Sequence, residues 1–358
     1  MSSQRSQQMQ QQREVTINSR VESNGVVGTV KYIGPVVGTQ GTWVGVDWDI
    51  PEKGKNDGSY KNVRYFTTSF PSSGSFLRLT KLNTGRSFFE ALIDRYENNV
   101  IAPSESLLTL AQRSGNNRVI EYVGFDKVSE KQKEFDQLLQ LDLSKQYVSY
   151  AGDVSAANLS AVQHLDLSAN LLSSWSVVAD IVKHLPSLNS LVLSANRLVA
   201  ENCSQLAPCF DKVKTLVYGK ANYTWNDVVV VIGKLFRHIE NLDVWGNAIT
   251  KITTPPNSVF QELKSLNLSD NKLKDWSMVC KLGNLPLLES LQLVNCEISE
   301  IEFGDNLLPT KETHLFSSLK SLNLARNQIK KWTSIAQLNR LSSLEELFIK
   351  NNPVFDEE

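Results

Sequence analysis

The stretch GKNDGSY, residues 54–60, sets a lysine and an asparagine between two glycines, directly after the aromatic run WVGVDWD at 43–49. A cation beside an uncharged donor suits an anion, and three anion or backbone readings compete. A phosphate loop needs a glycine five positions before the Gly-Lys pair and Ser or Thr after the lysine. Those positions hold Asp49 and Asn56 here, and a carboxylate there repels phosphate. The second reading is a turn: Asn-Asp-Gly between two extended segments is a hairpin signal, with Gly58 taking the positive φ. The third is peptide capture. Residues 20–86 carry nine Lys or Arg (20, 31, 53, 55, 61, 64, 78, 81, 86) against five Asp or Glu (22, 47, 49, 52, 57), in a chain whose net charge is −1. Basic groups among Tyr32, Trp43, Trp48, Tyr65, Phe66 and Phe76 suit either single-stranded nucleic acid or an acidic peptide with an aromatic end. The residues themselves leave both open.

The elements that must position this stretch are short. Residues 14–86 read as β segments, VGTVKYI, WVGVDWD, VRYF and SFLRL, separated by glycine-bearing turns. Residues 1–13 are rich in Gln and Ser, cannot repay the entropy of ordering, and read as a disordered tail. Helical periodicity in FFEALIDRY (88–96) and SEKQKEFDQLL (129–139) makes 87–136 a helical linker and repeat cap.

From 137 to 358 the template LxxLxLxxN recurs, in nine units counting a weak first one, beginning at 138, 162, 188, 213, 239, 263, 288, 319 and 344. Spacings of 24 to 26 residues, with one of 31, are those of leucine-rich repeats. The leucines at positions 1, 4 and 6 point inward from a short strand, and the asparagine at position 9 ties down the turn that follows. Ala221 and Cys296 replace that asparagine in two units, so the turn at Ala221 is expected to lose its side-chain amide. The marks WSVV, WNDV, WSMV and WTSI are read as helix starts capped by Ser176, Asn226, Ser277 and Thr333, with the tryptophans in the core. The run VVVVI (228–232) is read as one buried face rather than a membrane element.

Composition narrows the classes further. A 41% hydrophobic, 21% charged chain of near-zero net charge is that of an ordinary soluble protein, with no global pull toward nucleic acid or membrane. Four scattered cysteines without a CxxC pair read as reduced cytosolic thiols. The histidines 164, 184, 238 and 314 lie apart in the repeats, and no nucleophile–base pair or metal cluster stands out. The expectation is a cytoplasmic non-enzyme without cofactor or metal.

The segments GTVKYIG, WVGVDWD, GKNDGS, VRYF and GSFLR stand in the order and spacing of a CAP-Gly domain, which they resemble. That resemblance implies a small all-β barrel that reads acidic C-terminal tails ending in an aromatic, as on α-tubulin, and the fold class becomes a multidomain chain of CAP-Gly barrel and α/β leucine-rich-repeat solenoid. By it, Lys55 and Asn56 would hold the terminal carboxylate and nearby groups, Trp43 and Phe76 would line the groove, Lys81 would add a polar contact, Asp57 would belong to the motif, and Gly54 and Gly58 would allow close approach. Gly38, where the family often has an aromatic, and Thr68, where it has a cysteine, depart from the pattern.

PEKGK at 51–55 and VIEYVGFDKVSEKQKEFDQLLQLDLS at 119–144 further resemble the tubulin-folding cofactor E family, over about residues 15–352. Members usually continue into a ubiquitin-like domain, which is not expected in this sequence. The family implies a factor that binds α-tubulin by tail and body and acts with cofactors C and D and β-tubulin in heterodimer assembly or disassembly. On the repeats, Asp243, Trp245, Val294 and Phe348 are the candidate contacts of the concave surface, Trp245 first because a tryptophan at that template position has no core to fill. The alternative is a microtubule-associated CAP-Gly adaptor recruiting a partner through its repeats.

Overall fold

The computed structural model describes residues 14–98, 135–201, 203–305, 307–308 and 310–356. The tail expected over 1–13 and most of the expected linker helices lie outside the described residues.

Strands β1 (Arg20–Ser23), β2 (Val26–Pro35), β3 (Thr42–Trp48), β4 (Ser59–Tyr60), β5 (Val63–Arg64) and β6 (Gly74–Leu77) make the N-terminal domain. Four of them form an antiparallel sheet in the order β1-β2-β3-β6, and β4 pairs with β5 as a ribbon. Alternation along β2 and β3 sends Val30, Val44, Val46 and Trp48 into a small core with Val21 and Leu82. Asp47 is buried on β3 and accepts from Ser69 N (3.1 Å), Ser69 Oγ (2.7 Å) and Ser73 Oγ (2.5 Å), which staples the 69–73 loop to the sheet.

Strand β7 (Arg86–Ser87) then leads into α1 (Phe88–Ile93), whose start is a capping box between Ser87 and Glu90. Phe88, Ala91 and Leu92 are buried in the core shared with the repeats. The helical reading of 129–139 holds only as the single turn Phe135–Gln137 among its described residues; Leu138 and Leu139 already run into the first repeat strand.

The repeats form one parallel sheet from β8 (Gln140–Asp142) through β10 (His164–Asp166), β11 (Ser190–Val192), β12 (Thr215–Val217), β13 (Asn241–Asp243), β14 (Ser265–Asn267), β15 (Ser290–Gln292) and β16 (Ser321–Asn323) to β17 (Glu346–Phe348). In every pair the central leucines face one another, Leu141 to Leu165 and onward to Leu347. Strand β9 (Val148–Tyr150) lies outside this sheet and pairs in parallel with β7.

The asparagines do more than hold their own turns. Asn170 Oδ1 accepts from Gln146 N (3.0 Å) and Val148 N (2.8 Å) of the preceding unit, while its Nδ2 donates to Leu143 O and Leu167 O. Asn327 repeats the pattern on Cys296 N, Ile298 N and Leu293 O. Each amide therefore satisfies buried backbone groups across a unit boundary. Where Ala221 stands, the loss expected from the sequence is made good in part: Tyr218, at a template leucine position, puts its hydroxyl 3.0 Å from Leu198 N, the donor left without an amide partner. At the other exception, Cys296 Sγ donates to Leu268 O at 3.2 Å, and burial pushes that thiol up to about 12.

The convex helices start two residues earlier than expected. Trp175, Trp225 and Trp276 are themselves the first helical residues, and the caps are Ser174, Thr224 and Asp275, whose side chains accept from Ser176, Asp227 and Ser277 N–H. Lys331, before Trp332, offers no cap. The first three tryptophans are buried as expected, but Trp332 is 59% exposed, with only the Phe355 ring edge-on to it at 5.4 Å among the described aromatic residues. The VVVVI run is a widened helical turn that buries Val228, Val231 and Ile232. Along one margin of the sheet, Lys214, Glu240, Lys264, Glu289, Lys320 and Glu345 occupy template position 2 in successive units. Glu240 receives both Lys214 (3.3 Å) and Lys264 (2.8 Å), and Lys320 meets Glu289 at 3.4 Å.

Candidate functional site

The segment carrying Gly54 to Asn56 is held as an extra edge on β6. Lys55 N and Asn56 N both donate to Gly74 O, at 2.7 and 3.1 Å, and Gly74 N donates back to Asn56 O at 2.8 Å. Gly54 is obligatory in this seam, since a Cβ there would stand 1.9 Å from Ser72 O. Gly58, at φ +88°, turns the chain as the sequence anticipates. Asn56 Oδ1 closes that turn by accepting from Gly58 N (3.0 Å), which leaves its Nδ2 donors without a protein acceptor among the described residues. Asp57 faces the other way: its carboxylate takes Ser59 N and Arg64 Nη2 (2.7 Å), and the Arg64 hydrogen bond holds its pKa below the ordinary value. Lys55 is exposed and, like Lys53, forms no ion pair with a described residue.

Beside this seam lies a groove of about 510 Å³ lined by Val36, Trp43, Lys53, Lys55, Asn56 and Phe76, among others. Its wall is fixed by a chain of bonds in which Trp43 Nε1 donates to Thr39 Oγ1 (2.8 Å) and Thr39 Oγ1 to Val36 O (2.7 Å). Arg78 stacks on the Trp43 ring with its guanidinium carbon 4.0 Å from the centroid, and donates to Thr42 O (2.8 Å) and to Gln40 O. Phe76 anchors an aromatic cluster with Tyr32, Tyr65 and Phe66. The result is an apolar trough with two ammonium groups and an amide at its edge, the geometry of an anionic peptide end with an apolar side chain.

The structure thus brings Trp43, Gly54, Lys55, Asn56, Gly58 and Phe76 together and directs the Asp57 carboxylate away. Lys81 does not line the groove: the turn Leu79–Lys81 carries it past the end of β6, where it is exposed. Gly38, at φ +74°, has Lys61 as its nearest side-chain neighbour, and Thr68 Oγ1 donates to Phe70 O. Sequence reasoning missed Arg78. Its signal was the strand register: β3 against β6 pairs Val44 with Leu77, and one step further sets Arg78 opposite Trp43.

The CAP-Gly domain family matches residues 17–82. These residues are a CAP-Gly domain. Beyond the CAP-Gly domain, the whole chain is similar to tubulin-specific chaperone E of Danio rerio, 37% identical over 96% of this chain and 64% of the relative. Tubulin-folding cofactor E of Arabidopsis thaliana is 36% identical over 92% of this chain and 63% of that one. The chain therefore spans a little under two thirds of the length of the relatives it matches. Among solved structures, the Bik1 CAP-Gly domain with ETF peptide from Bim1 is 39% identical over 18% of this chain and 78% of that one, with a TM-score of 0.17.

On the repeats, the four residues expected on the concave surface do not converge. Four strand spacings of about 4.8 Å put β13 and β17 roughly 19 Å apart, so Phe348, 48% exposed, belongs to a different part of the surface from Asp243 and Trp245. Val294 is half-buried between them. Asp243 accepts from Trp245 N (3.2 Å) and Asn267 Nδ2 (3.0 Å), and burial pushes its carboxyl up. Trp245 is not free-standing as expected: its ring lies on Gly219, where a Cβ would come within 2.3 Å of Nε1, and Lys220 Nζ stands 4.8 Å from its centroid. Among the described residues no His, Cys, Asp and Glu cluster fits a metal, and no helix is long and apolar enough to cross a membrane.

Proposed function

We propose that this chain is a non-enzymatic tubulin-folding factor of the cytoplasm and cytoskeleton, whose CAP-Gly groove takes the acidic C-terminal tail of α-tubulin while the repeats meet the globular body. The observation that carries the reading is the groove itself: Lys53, Lys55 and the Asn56 amide gather at the edge of a trough walled by Trp43 and Phe76, and the carboxylate of the adjoining Asp57 is occupied by Arg64. Tubulin is the favoured source of such a tail because the similarity running along 92–96% of this chain is to proteins named tubulin-specific chaperone E and tubulin-folding cofactor E. Cofactors C and D with β-tubulin complete the proposed assembly. Linking two weak sites raises effective concentration without tight binding at either.

The test is fluorescence anisotropy with a peptide ending Glu-Glu-Tyr. A hydrogen bond to a charged group is worth about 1.5–3 kcal/mol, and exposure of Lys55 pulls the value to the low end. Lys55→Ala with Asn56→Ala should therefore weaken binding on the order of 10- to 100-fold with the fold intact. Equal binding by variant and parent would remove the proposed role. A clear preference for microtubule polymer over free tubulin would favour the adaptor reading instead.

A further inference from the structure

The CAP-Gly domain is fastened to the repeats at two places. The first is its covalent exit, where β7 pairs with β9 and Arg86 Nε donates to Gln146 O at 2.9 Å. One attachment of this kind leaves a hinge. The second is an ion pair far from it in sequence: Arg197 Nη1, on the loop after β11, stands 3.0 Å from Asp49 Oδ1 at the end of β3. Asp49 is already the partner of Arg20, which is almost wholly buried in the CAP-Gly domain and donates to the same Oδ1 at 2.9 Å and to Oδ2. Thr29 Oγ1 accepts from Arg20 Nη1 at 2.7 Å, so the carboxylate is held rigidly before Arg197 reaches it.

We propose that Arg197 is a positioning residue: by sharing Asp49 with Arg20 it closes the hinge between the two domains and fixes the direction in which the tail groove opens relative to the repeats. This rests on the two-site reading of tubulin capture, in which a bound tail and a bound body must belong to one molecule. A fixed groove confines the tail end near the body contacts, whereas a swinging groove spreads the same local concentration over a larger volume. Arg197 has no other ion pair among the described residues, and the ladder amide of its neighbour Asn196 bonds elsewhere.

The experiment measures distances and binding on the full chain with Arg197→Glu, Arg197→Ala and Arg197→Lys. Spin labels introduced as unnatural amino acids at the exposed positions Thr80 and Lys251 report the inter-domain distance distribution. It should be narrow in the parent, broad in Arg197→Glu and Arg197→Ala, and largely restored in Arg197→Lys. Affinity for the Glu-Glu-Tyr peptide should stay within about twofold, while affinity for intact tubulin falls roughly tenfold, a part of the roughly 10²- to 10⁴-fold that linkage supplies. Unfolding midpoints should hold within about 2 °C. Equal distributions in parent and Arg197→Glu overturn the latch, and broadening with unchanged tubulin affinity overturns the positioning role. Should the parent fail to bind tubulin, the function proposed above falls, and the distance distributions alone decide the latch.

Discussion

Replacing Trp245 with alanine separates two roles that the sequence could not. The ring is more than half buried on Gly219 and under Lys220. A tryptophan side chain offers about 200 Å²; with roughly three quarters of that withdrawn from water at about 25 cal/mol per Å², burial contributes about 4 kcal/mol. Residual compactness of the unfolded chain reduces this to roughly 2–3 kcal/mol. For a domain of this size the midpoint should fall by roughly 5–10 °C. Urea unfolding followed by intrinsic fluorescence and far-ultraviolet circular dichroism gives the number, and a tubulin pull-down at a temperature where the variant is folded gives the second readout. A stability loss under about 0.5 kcal/mol, the range of an ordinary surface change, would refute the packing argument and return Trp245 to the free-standing hot spot first read from the sequence.

Other outcomes follow from the same geometry. Tyr218→Phe should cost about 1–3 kcal/mol, because the buried Leu198 N–H loses its acceptor; adding Ala221→Asn should recover much of it in chemical denaturation, and no recovery would sink the substitution argument. Gly54→Ala places a methyl group on Ser72 O and should abolish peptide binding in calorimetry while leaving the repeat signal in circular dichroism. The Asp305 carboxyl, bonded to Arg340 at 2.7 and 2.6 Å, is held below its ordinary pKa. Its contribution to stability should therefore be present above about pH 4 and disappear as pH falls through the lowered folded value. Unfolding midpoints of Asp305→Asn measured from pH 6 to 2.5 should be flatter than the parent's, and parallel curves would refute the assignment.

How much of this was readable beforehand depends on how far apart the cooperating residues lie. The repeats were legible because every unit carries its own leucines and asparagine within nine positions, and the groove motif was legible because GKNDGS is contiguous. What escaped were pairings across distance. Asp49 with Arg197, Asn170 with the previous unit's N–H groups, and Arg78 on Trp43 each join residues that no local period connects. The Tyr218 hydroxyl is a subtler case, since a tyrosine at a leucine position reads as an apolar substitute until its oxygen is seen to occupy the acceptor role an asparagine holds elsewhere. The helix starts were misplaced for a local reason: Ser and Asn after each tryptophan look like caps, but the residue before the tryptophan has the extended backbone that capping needs.

The alternating lysine and glutamate row along the sheet margin has a consequence for how the array is put together. Units of nearly identical pattern can dock out of sequence, skipping a neighbour, and repeat proteins are prone to such misassembly. Here a skip sets Lys214 beside Lys264, or Glu240 beside Glu289, a like-charged contact at the faulty junction. Correct succession is the arrangement in which each cation meets an anion. The row therefore works as a parity check on assembly, rejecting an odd-numbered omission by repulsion, while adding little to the strength of the finished array.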